Sequence, residues 1–198
     1  MAASTPTPNG APPSPDFQVD EALAPWQLPA KAWLVKHSKD KEWHGLASGT
    51  VVFDAGGRVL LIQRASHDSM PNRWEIPGGA VDDDDATILH GAARELREEA
   101  GLVATRFKYT VSEGADIAPT QVFSNRAGTR TFRRIVFVAD VESCAQVKLD
   151  PNEHQAFVWA SEDVVRNEKM GDRDLPITHP SMRLLILEAF RLKRVLEA

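Results

Sequence analysis

The fold is decided by residues 78–102, which read GGAVDDDDATILHGAARELREEAGL. At about 100° per residue, the apolar side chains between positions 85 and 100 fall on a single stripe of a helix. These side chains are Leu89, Ala92, Ala93, Leu96 and Ala100. Gly101 follows at the position where a left-handed C-cap favours glycine. The pattern therefore predicts a helix over 85–100 with one buried face.

Three glutamates occupy a neighbouring face of this helix. Glu95, Glu98 and Glu99 stand at i, i+3 and i+4, so their carboxylates converge. Hard divalent cations such as Mg2+ and Mn2+ prefer oxygen ligands and keep water and phosphate oxygens in their coordination shells. The Gly78-Gly79 turn ahead of the helix would let a phosphate chain approach the backbone closely. On its own the triplet is more typical of a solvated acidic helix face, and only the surrounding sequence reverses that interpretation.

The whole segment resembles the Nudix box, in which Gly, five residues, Glu and seven residues precede Arg-Glu-aliphatic-x-Glu-Glu-x-Gly-aliphatic. Residues 94–102, RELREEAGL, match the second half at every specified position. Gly79 and Asp85 match the first half, with Asp in place of Glu. Eight residues separate Asp85 from Arg94 where the pattern has seven, and one extra residue within 82–85 is the simplest account. This departure leaves the pairing of Asp85 with Arg94 open, but it lies outside the half that carries the glutamates.

The flanking sequence is similar to the same family. Residues 60–64 (LLIQR) and 74–79 (WEIPGG) resemble the strands before the box. Glu153-His154 and Trp159 resemble the acidic loop residue and the late-strand tryptophan that often follow it. The resemblance covers roughly residues 45–168. It implies an α/β (α+β) fold, namely an α/β/α sandwich with a mixed sheet and a loop-helix-loop catalytic motif.

The resemblance also implies roles for individual residues. Glu95, Glu98 and Glu99 are expected to hold Mg2+ or Mn2+ against a diphosphate, and Arg94 to order these glutamates. The expected catalytic residues are Glu98, Glu153 and Arg94. Glu153 is the first choice of general base and Glu98 the second, while the simpler interpretation of Glu153 is a surface glutamate. The expected substrate-binding residues are Gly78, Gly79, Arg64 and Arg134.

Two charged clusters near the box have competing interpretations. Four aspartates at 82–85 precede the helix and are most simply explained as N-capping groups that compensate the helix dipole. Four arginines surround a predicted hairpin, where they could contact a substrate phosphate or form a solvated turn. They are Arg126, Arg130, Arg133 and Arg134.

Alternation and turn signals place the remaining elements. Strands are predicted over 46–53, 58–64, 74–77, 107–112, 131–141 and 157–159, with a turn at 54–57 joining the first two as a hairpin. Helices are predicted over 161–165 and 180–196. Residues 1–15 are rich in Pro, Ser and Thr, which predicts a disordered tail. Residues 16–44 carry large apolar groups and are expected to form an arm that packs on a hydrolase domain at 45–198, with a partly ordered linker as the alternative.

Composition limits the classes of function. A chain of 198 residues with a net charge of -5 is typical of one globular domain. The sequence pI of about 5.7 argues against a general nucleic-acid binder. The lone Cys144 excludes an intramolecular disulfide. No stretch reaches the ~18 apolar residues of a membrane span, and no leader segment is recognised, so we expect a cytoplasmic protein, with the nucleus left open.

These observations lead to two hypotheses from different classes. The first is a metal-dependent hydrolase that cleaves a diphosphate bond in a nucleoside diphosphate linked to another moiety. Its expected partner is a small phosphorylated substrate rather than a membrane or a nucleic acid, and a homodimer is allowed. The alternative is a Nudix-fold binding module that recognises a phosphorylated ligand without cleaving it.

Overall fold

A computed structural model describes residues 16–37, 43–112, 122–124 and 127–197, so the predicted tail at 1–15 lies outside the described residues. The strands are β1 (Gln18–Val19), β2 (Gly45–Val52), β3 (Val59–Arg64), β4 (Trp74–Glu75), β5 (Ala104–Val111), β6 (Val122–Ser124), β7 (Thr131–Val141), β8 (His154–Ala160), β9 (Lys169–Met170) and β10 (Arg173–Asp174). The helices are α1 (Ala30–His37), α2 (Ile88–Ala100), α3 (Glu162–Asn167) and α4 (Pro180–Leu196). A 3-10 helix spans Glu21–Trp26.

Two sheets form the middle of the molecule. The larger has the strand order β1-β5-β7-β2, and β6 also pairs with β7. Because β2 runs parallel to β7 while β5 runs antiparallel to it, this sheet is mixed, as predicted. The smaller sheet has the order β4-β3-β8 and is antiparallel.

The predicted hairpin between 46–53 and 58–64 is wrong. Its turn is present, since the Gly57 amide donates to the Asp54 carbonyl at 2.9 Å and Gly57 has a φ of 70°. Beyond one isolated bridge between Phe53 and Val59, however, the two strands diverge into different sheets. Both strands carry buried side chains on both faces. Each strand can therefore pair with other strands and still be buried between two layers. The turn alone does not hold the two strands together in one sheet.

Helices cover both faces of the sheets. Successive side chains of a strand point to opposite faces. Accordingly, Phe137 of β7 packs with α2 and the N-terminal segment, whereas Val136 and Val138 pack with α4. Helix α4 begins at Pro180 and ends at Leu196, as its amphipathic pattern predicts. The expected α/β/α sandwich with a mixed sheet is confirmed.

Residues 16–37 lie against the larger sheet. Strand β1 pairs in parallel with β5, and Leu23 and Trp33 are buried in the core on the α2 side. The Arg133 guanidinium lies 5.1 Å from the ring centre of Trp33 and 4.8 Å from that of Trp43. Burial of these large apolar groups offsets the entropy lost when the segment is ordered. The boundary between arm and domain at residue 45 stays a prediction.

Candidate active site

Helix α2 begins later than its sequence pattern suggests. It starts at Ile88 because Thr87 is the N-cap, where its Oγ1 accepts a hydrogen bond from the His90 amide at 3.3 Å. The interpretation of the aspartates at 82–85 as N-capping groups is therefore wrong. At the other end, Gly101 adopts the predicted left-handed conformation, with a φ of 68°. The apolar stripe of the helix is buried, which leaves the glutamate face towards the loops.

Asp85 pairs with Arg94 instead of capping the helix. The Arg94 Nε donates to Asp85 Oδ1 and Nη2 donates to Asp85 Oδ2, each at 3.0 Å. Such a bidentate contact matches the planar shape of the guanidinium and fixes its orientation. The pairing that the extra residue left open is therefore made, and the loop at 82–87 absorbs the insertion.

The remaining Arg94 donors reach the glutamates and the loop. Nη1 lies 2.9 Å from Glu95 Oε1 and 3.0 Å from Glu98 Oε2. Nη2 also donates to the Ala80 carbonyl at 2.9 Å. Glu95 is largely buried, whereas the Glu98 side chain is 58% exposed. Arg94 thus joins the loop to two of the three box glutamates.

Glu99 is the most deeply buried glutamate of the triplet. Its Oε2 accepts a hydrogen bond from the Gly78 amide at 2.6 Å. Burial, together with the charges of Glu75, Glu95 and Glu153, raises the pKa of Glu99 to about 9, against the opposing effect of the Gly78 amide. An anionic Glu99 in this position needs additional positive charge nearby.

The two glycines at the start of the box are needed by the protein itself. A Cβ on Gly78, whose φ is 154°, would lie 2.2 Å from the Ser48 carbonyl oxygen of β2. A Cβ on Gly79 would lie 2.6 Å from Glu95 Oε2. The Ser48 amide donates to the Gly79 carbonyl at 2.8 Å, which ties the loop to β2. Gly78 therefore requires glycine, whereas a side chain at position 79 would displace the Glu95 carboxylate, and the predicted contact of both glycines with a substrate stays a prediction.

Glu153 and His154 approach α2 from the start of β8. The amides of both residues donate to the Asp150 carbonyl, at 3.2 Å and 2.8 Å, which places Glu153 in a turn just before the strand. One ligand atom from each of Glu99, Glu153 and His154 lies within 4.8 Å of the other two. The predicted general base is thus brought to the glutamate cluster, although Glu153 is far away in sequence.

Glu75 is a member of the site that was not predicted from the sequence. It is buried on β4, and Arg64 of β3 donates to its Oε1. Arg64 also binds Asp68 and donates from Nε to the Ser69 carbonyl at 2.7 Å. The available signal was a charged residue between Trp74 and Ile76 in an otherwise apolar strand. Arg64 is held by protein groups, so its predicted contact with a substrate remains a prediction.

Arg134 lies beside the same cluster on β7. Burial lowers its pKa, and the carboxylates of Glu75 and Glu99 oppose that shift. Its guanidinium lies 4.9 Å from the ring centre of Phe123, which stacks on Phe132 with ring centres 5.6 Å apart. Phe123 is 37% exposed. Arg134 is therefore a neighbour both of an exposed aromatic ring and of the carboxylates. Arg126, from the same predicted cluster, lies outside the described residues.

Comparison with known proteins shows the family of the chain. A model of the NUDIX domain matches residues 43–179. The chain belongs to the NUDIX domain family. It is 28% identical over 133 residues to the CTP pyrophosphohydrolase of Escherichia coli (strain K12), covering 67% of this chain and 88% of that protein. It is 36% identical over 67 residues to the 8-oxo-dGTP diphosphatase of Proteus vulgaris, covering 34% of this chain and 58% of that protein.

Solved structures confirm the NUDIX fold. The MutT protein of Methanosarcina mazei Go1 superposes with a TM-score of 0.54 at 22% sequence identity, covering 76% of this chain and 94% of that one. The predicted family and fold class are confirmed, and the matches agree with the predicted enzyme class, a Nudix-type pyrophosphohydrolase. Among the described residues of this NUDIX protein, no helix is long and apolar enough to cross a membrane.

The donor set of the NUDIX site fits a divalent cation. Burial raises the pKa of Glu95, and Glu98 and Glu153 add to that effect, while Arg94 opposes it. Buried carboxylates that repel one another in this way are stabilised by a cation among them. The oxygen-rich donor set agrees with the preferences of Mg2+ and Mn2+.

Proposed function

We propose that this NUDIX protein is a divalent-cation-dependent hydrolase that cleaves a diphosphate bond in a nucleoside diphosphate linked to another group. The proposal rests on one observation, the proximity of helix α2 to the turn before β8. Glu95 and Glu99 come from the helix, and Glu153 comes from the turn. Acidic groups from separate elements are brought together here at the cost of mutual repulsion, which favours a bound cation over a solvated helix face.

Glu95, Glu98 and Glu99 are the proposed ligands of Mg2+ or Mn2+, with Glu153 beside them. When bound, the cation would neutralise charge on the diphosphate and favour attack by water. The Arg94 contacts to Glu95 and Glu98 hold these carboxylates in place. We therefore assign Arg94 a positioning role at the catalytic centre rather than contact with the substrate.

The proposed reaction is substitution at phosphorus. The oxygen of water forms a new bond to phosphorus, the bridging P–O bond breaks, and the departing phosphate leaves with the bond electrons. The proton of the attacking water passes to a carboxylate. Glu153 is our first choice for that base because its carboxylate stands next to Glu99 without an ion-pair partner among the described residues, whereas Glu98 is paired with Arg94.

A nucleoside in the substrate is favoured by two observations. The two curated relatives are named for CTP and 8-oxo-dGTP, both of which are nucleoside triphosphates. Phe123 offers an exposed ring, the Arg134 guanidinium lies 4.9 Å from the centre of that ring, and the charges of Glu75 and Glu99 act on Arg134. A base stacked on Phe123 would direct its phosphates past Arg134 towards Glu99. Arg64 would contribute to substrate binding by holding Glu75 in place. Gly78 and Gly79 would contribute because their backbone allows the substrate to approach closely.

The proposal is tested by a thermal unfolding and product screen of the full chain. Nucleoside triphosphates, nucleotide sugars and dinucleotides are incubated with Mg2+, with Mn2+ or with EDTA, and products are identified by mass. We expect unfolding temperature to rise with cation concentration and a nucleoside monophosphate to appear only with the cation. Ligand binding and a cation response without cleavage of any candidate would favour the alternative, a binding module.

A further inference from the structure

The imidazole of His154 is buried without a hydrogen bond. Its side chain is 2% exposed, and neither Nδ1 nor Nε2 has a hydrogen-bond partner among the described residues. Buried polar groups in folded proteins are nearly always paired, so an unpaired ring at a functional site calls for a ligand. The described protein atoms do not supply one.

The ring faces the proposed catalytic centre. Its Nε2 lies 3.7 Å from Glu75 Oε1 and 4.0 Å from Glu99 Oε1, which is too long for a hydrogen bond in either case. A ligand atom of Glu153 is also close, since the ligand atoms of Glu99, Glu153 and His154 all lie within 4.8 Å of one another. The turn that ends at Glu153 sends both neighbouring side chains towards α2, although consecutive residues within a strand would point to opposite faces.

We propose that His154 supplies a nitrogen ligand to a divalent cation that Glu99 also binds, with the Glu153 carboxylate beside it. The inference rests on the proposed function and adds a donor outside the box glutamates. With metal–ligand bonds of roughly 2.1 Å, two donors on one cation lie about 3.0 Å apart when adjacent and about 4.2 Å apart when opposite. The 4.0 Å between His154 Nε2 and Glu99 Oε1 already lies within that range.

A mixed nitrogen and oxygen donor set has a consequence for metal preference. Imidazole suits transition metals such as Co2+, whereas Mg2+ favours an all-oxygen shell. His154 should therefore strengthen the binding of Co2+ and Mn2+ more than that of Mg2+. A histidine that only positions Glu75 or Glu99 would affect all three cations alike.

Pulsed electron paramagnetic resonance of the full chain loaded with Mn2+ tests the contact directly. Spin-echo modulation detects a nitrogen bound to Mn2+, and labelling the histidines with nitrogen-15 assigns the signal to imidazole. We expect the modulation in the parent protein and in His37→Gln, which alters an exposed histidine of α1, and its loss in His154→Gln. Bound Mn2+ without nitrogen modulation in the parent would overturn the inference while leaving the proposed function intact. Failure of Mn2+ to bind at all would instead count against the proposed function.

A second measurement guards against misfolding of the variant. The unfolding temperature of cation-free His154→Gln is compared with that of the parent, and Co2+ and Mg2+ affinities are taken from titrations. We expect Co2+ affinity to fall about tenfold or more and Mg2+ affinity to fall much less, with His37→Gln unchanged. An equal loss for both cations would overturn the inference in favour of a positioning role. If the variant does not fold, the nitrogen modulation of the parent decides alone.

Discussion

Arg94 holds Asp85 with two hydrogen bonds of 3.0 Å across an insertion of one residue in the box. The same guanidinium reaches Glu95 and Glu98 through Nη1. Its contacts therefore fix the carboxylates of α2 relative to the 82–87 loop. Arginine is suited to this because its donors are fixed in one plane, whereas lysine offers a single ammonium group.

Arg94→Lys should lower turnover without unfolding the protein. Lysine keeps the positive charge but cannot make the bidentate contact with Asp85, so Asp85, Glu95 and Glu98 are no longer held together. We expect kcat to fall by roughly 10- to 100-fold, as is typical when groups that orient metal ligands are removed, with little change in unfolding temperature. The control is Arg97→Lys, an exposed arginine on the same helix. Parent-like turnover in Arg94→Lys would contradict the positioning role.

Glu99 should make the cation-free protein less stable as pH rises. Burial, with the charges of Glu75, Glu95 and Glu153, raises the pKa of Glu99 from 4.5 to about 9 in the folded state. The folded state therefore holds this proton more tightly than the unfolded state, and the stability it contributes is lost as pH rises from about 4.5 towards about 9. Glu99→Gln removes the titration.

In EDTA at about pH 8, Glu99→Gln is therefore expected to unfold at a higher temperature than the parent and to depend less on pH. Added Mg2+ should reverse that order, because only the parent retains the full ligand set. Thermal unfolding between about pH 5 and pH 9, with and without the cation, measures both effects. A parent that becomes more stable than the variant as pH rises in EDTA would contradict the effect assigned to Glu99.

Gly78 and Gly79 should respond differently to alanine. In Gly78→Ala the new Cβ would meet the Ser48 backbone at 2.2 Å, so we expect a fall in unfolding temperature of roughly 10 °C or more, or no folding. In Gly79→Ala the new Cβ would meet the Glu95 carboxylate, a side-chain end that can move. That variant should fold but bind Mg2+ about tenfold more weakly. Equal stability losses in both variants would contradict this division.

Phe123→Ala should weaken the binding of nucleoside substrates. Stacking of a base on an aromatic ring contributes about 1–3 kcal/mol, so KM should rise by roughly 5- to 150-fold while kcat changes little. Phe157→Ala serves as the control, because Phe157 is a similarly exposed phenylalanine on β8. Unchanged KM values for every nucleotide tested would exclude base stacking at Phe123.

Much of the site could be predicted from the sequence because its signals are local. The periodicity of α2, the cap at Gly101 and the spacing of Glu95, Glu98 and Glu99 all arise within one helix. The bounds of α4 were predicted for the same reason, since a long amphipathic pattern is distinctive.

What the sequence did not predict depends on tertiary contacts. The turn at 54–57 does not specify which strands β2 and β3 pair with, so the hairpin prediction failed. The extra residue in the box left the pairing of Asp85 with Arg94 open, and only the three-dimensional contacts show that Asp85 binds Arg94 while Thr87 provides the cap. Glu75 and the unpaired ring of His154 join the site only because β4 and β8 flank β3.

The central claim is that the glutamate cluster hydrolyses a diphosphate with a divalent cation, and cleavage in oxygen-18 water tests it most directly. The parent protein and Glu98→Gln are incubated with a nucleoside triphosphate and with either Mg2+ or EDTA. The masses of the products are measured by mass spectrometry. We expect a nucleoside monophosphate and pyrophosphate, with one oxygen-18 atom in a phosphoryl group of one product. Turnover should be lost in EDTA and lowered by orders of magnitude in Glu98→Gln. Full turnover in EDTA, or parent-like turnover in Glu98→Gln, would contradict the account.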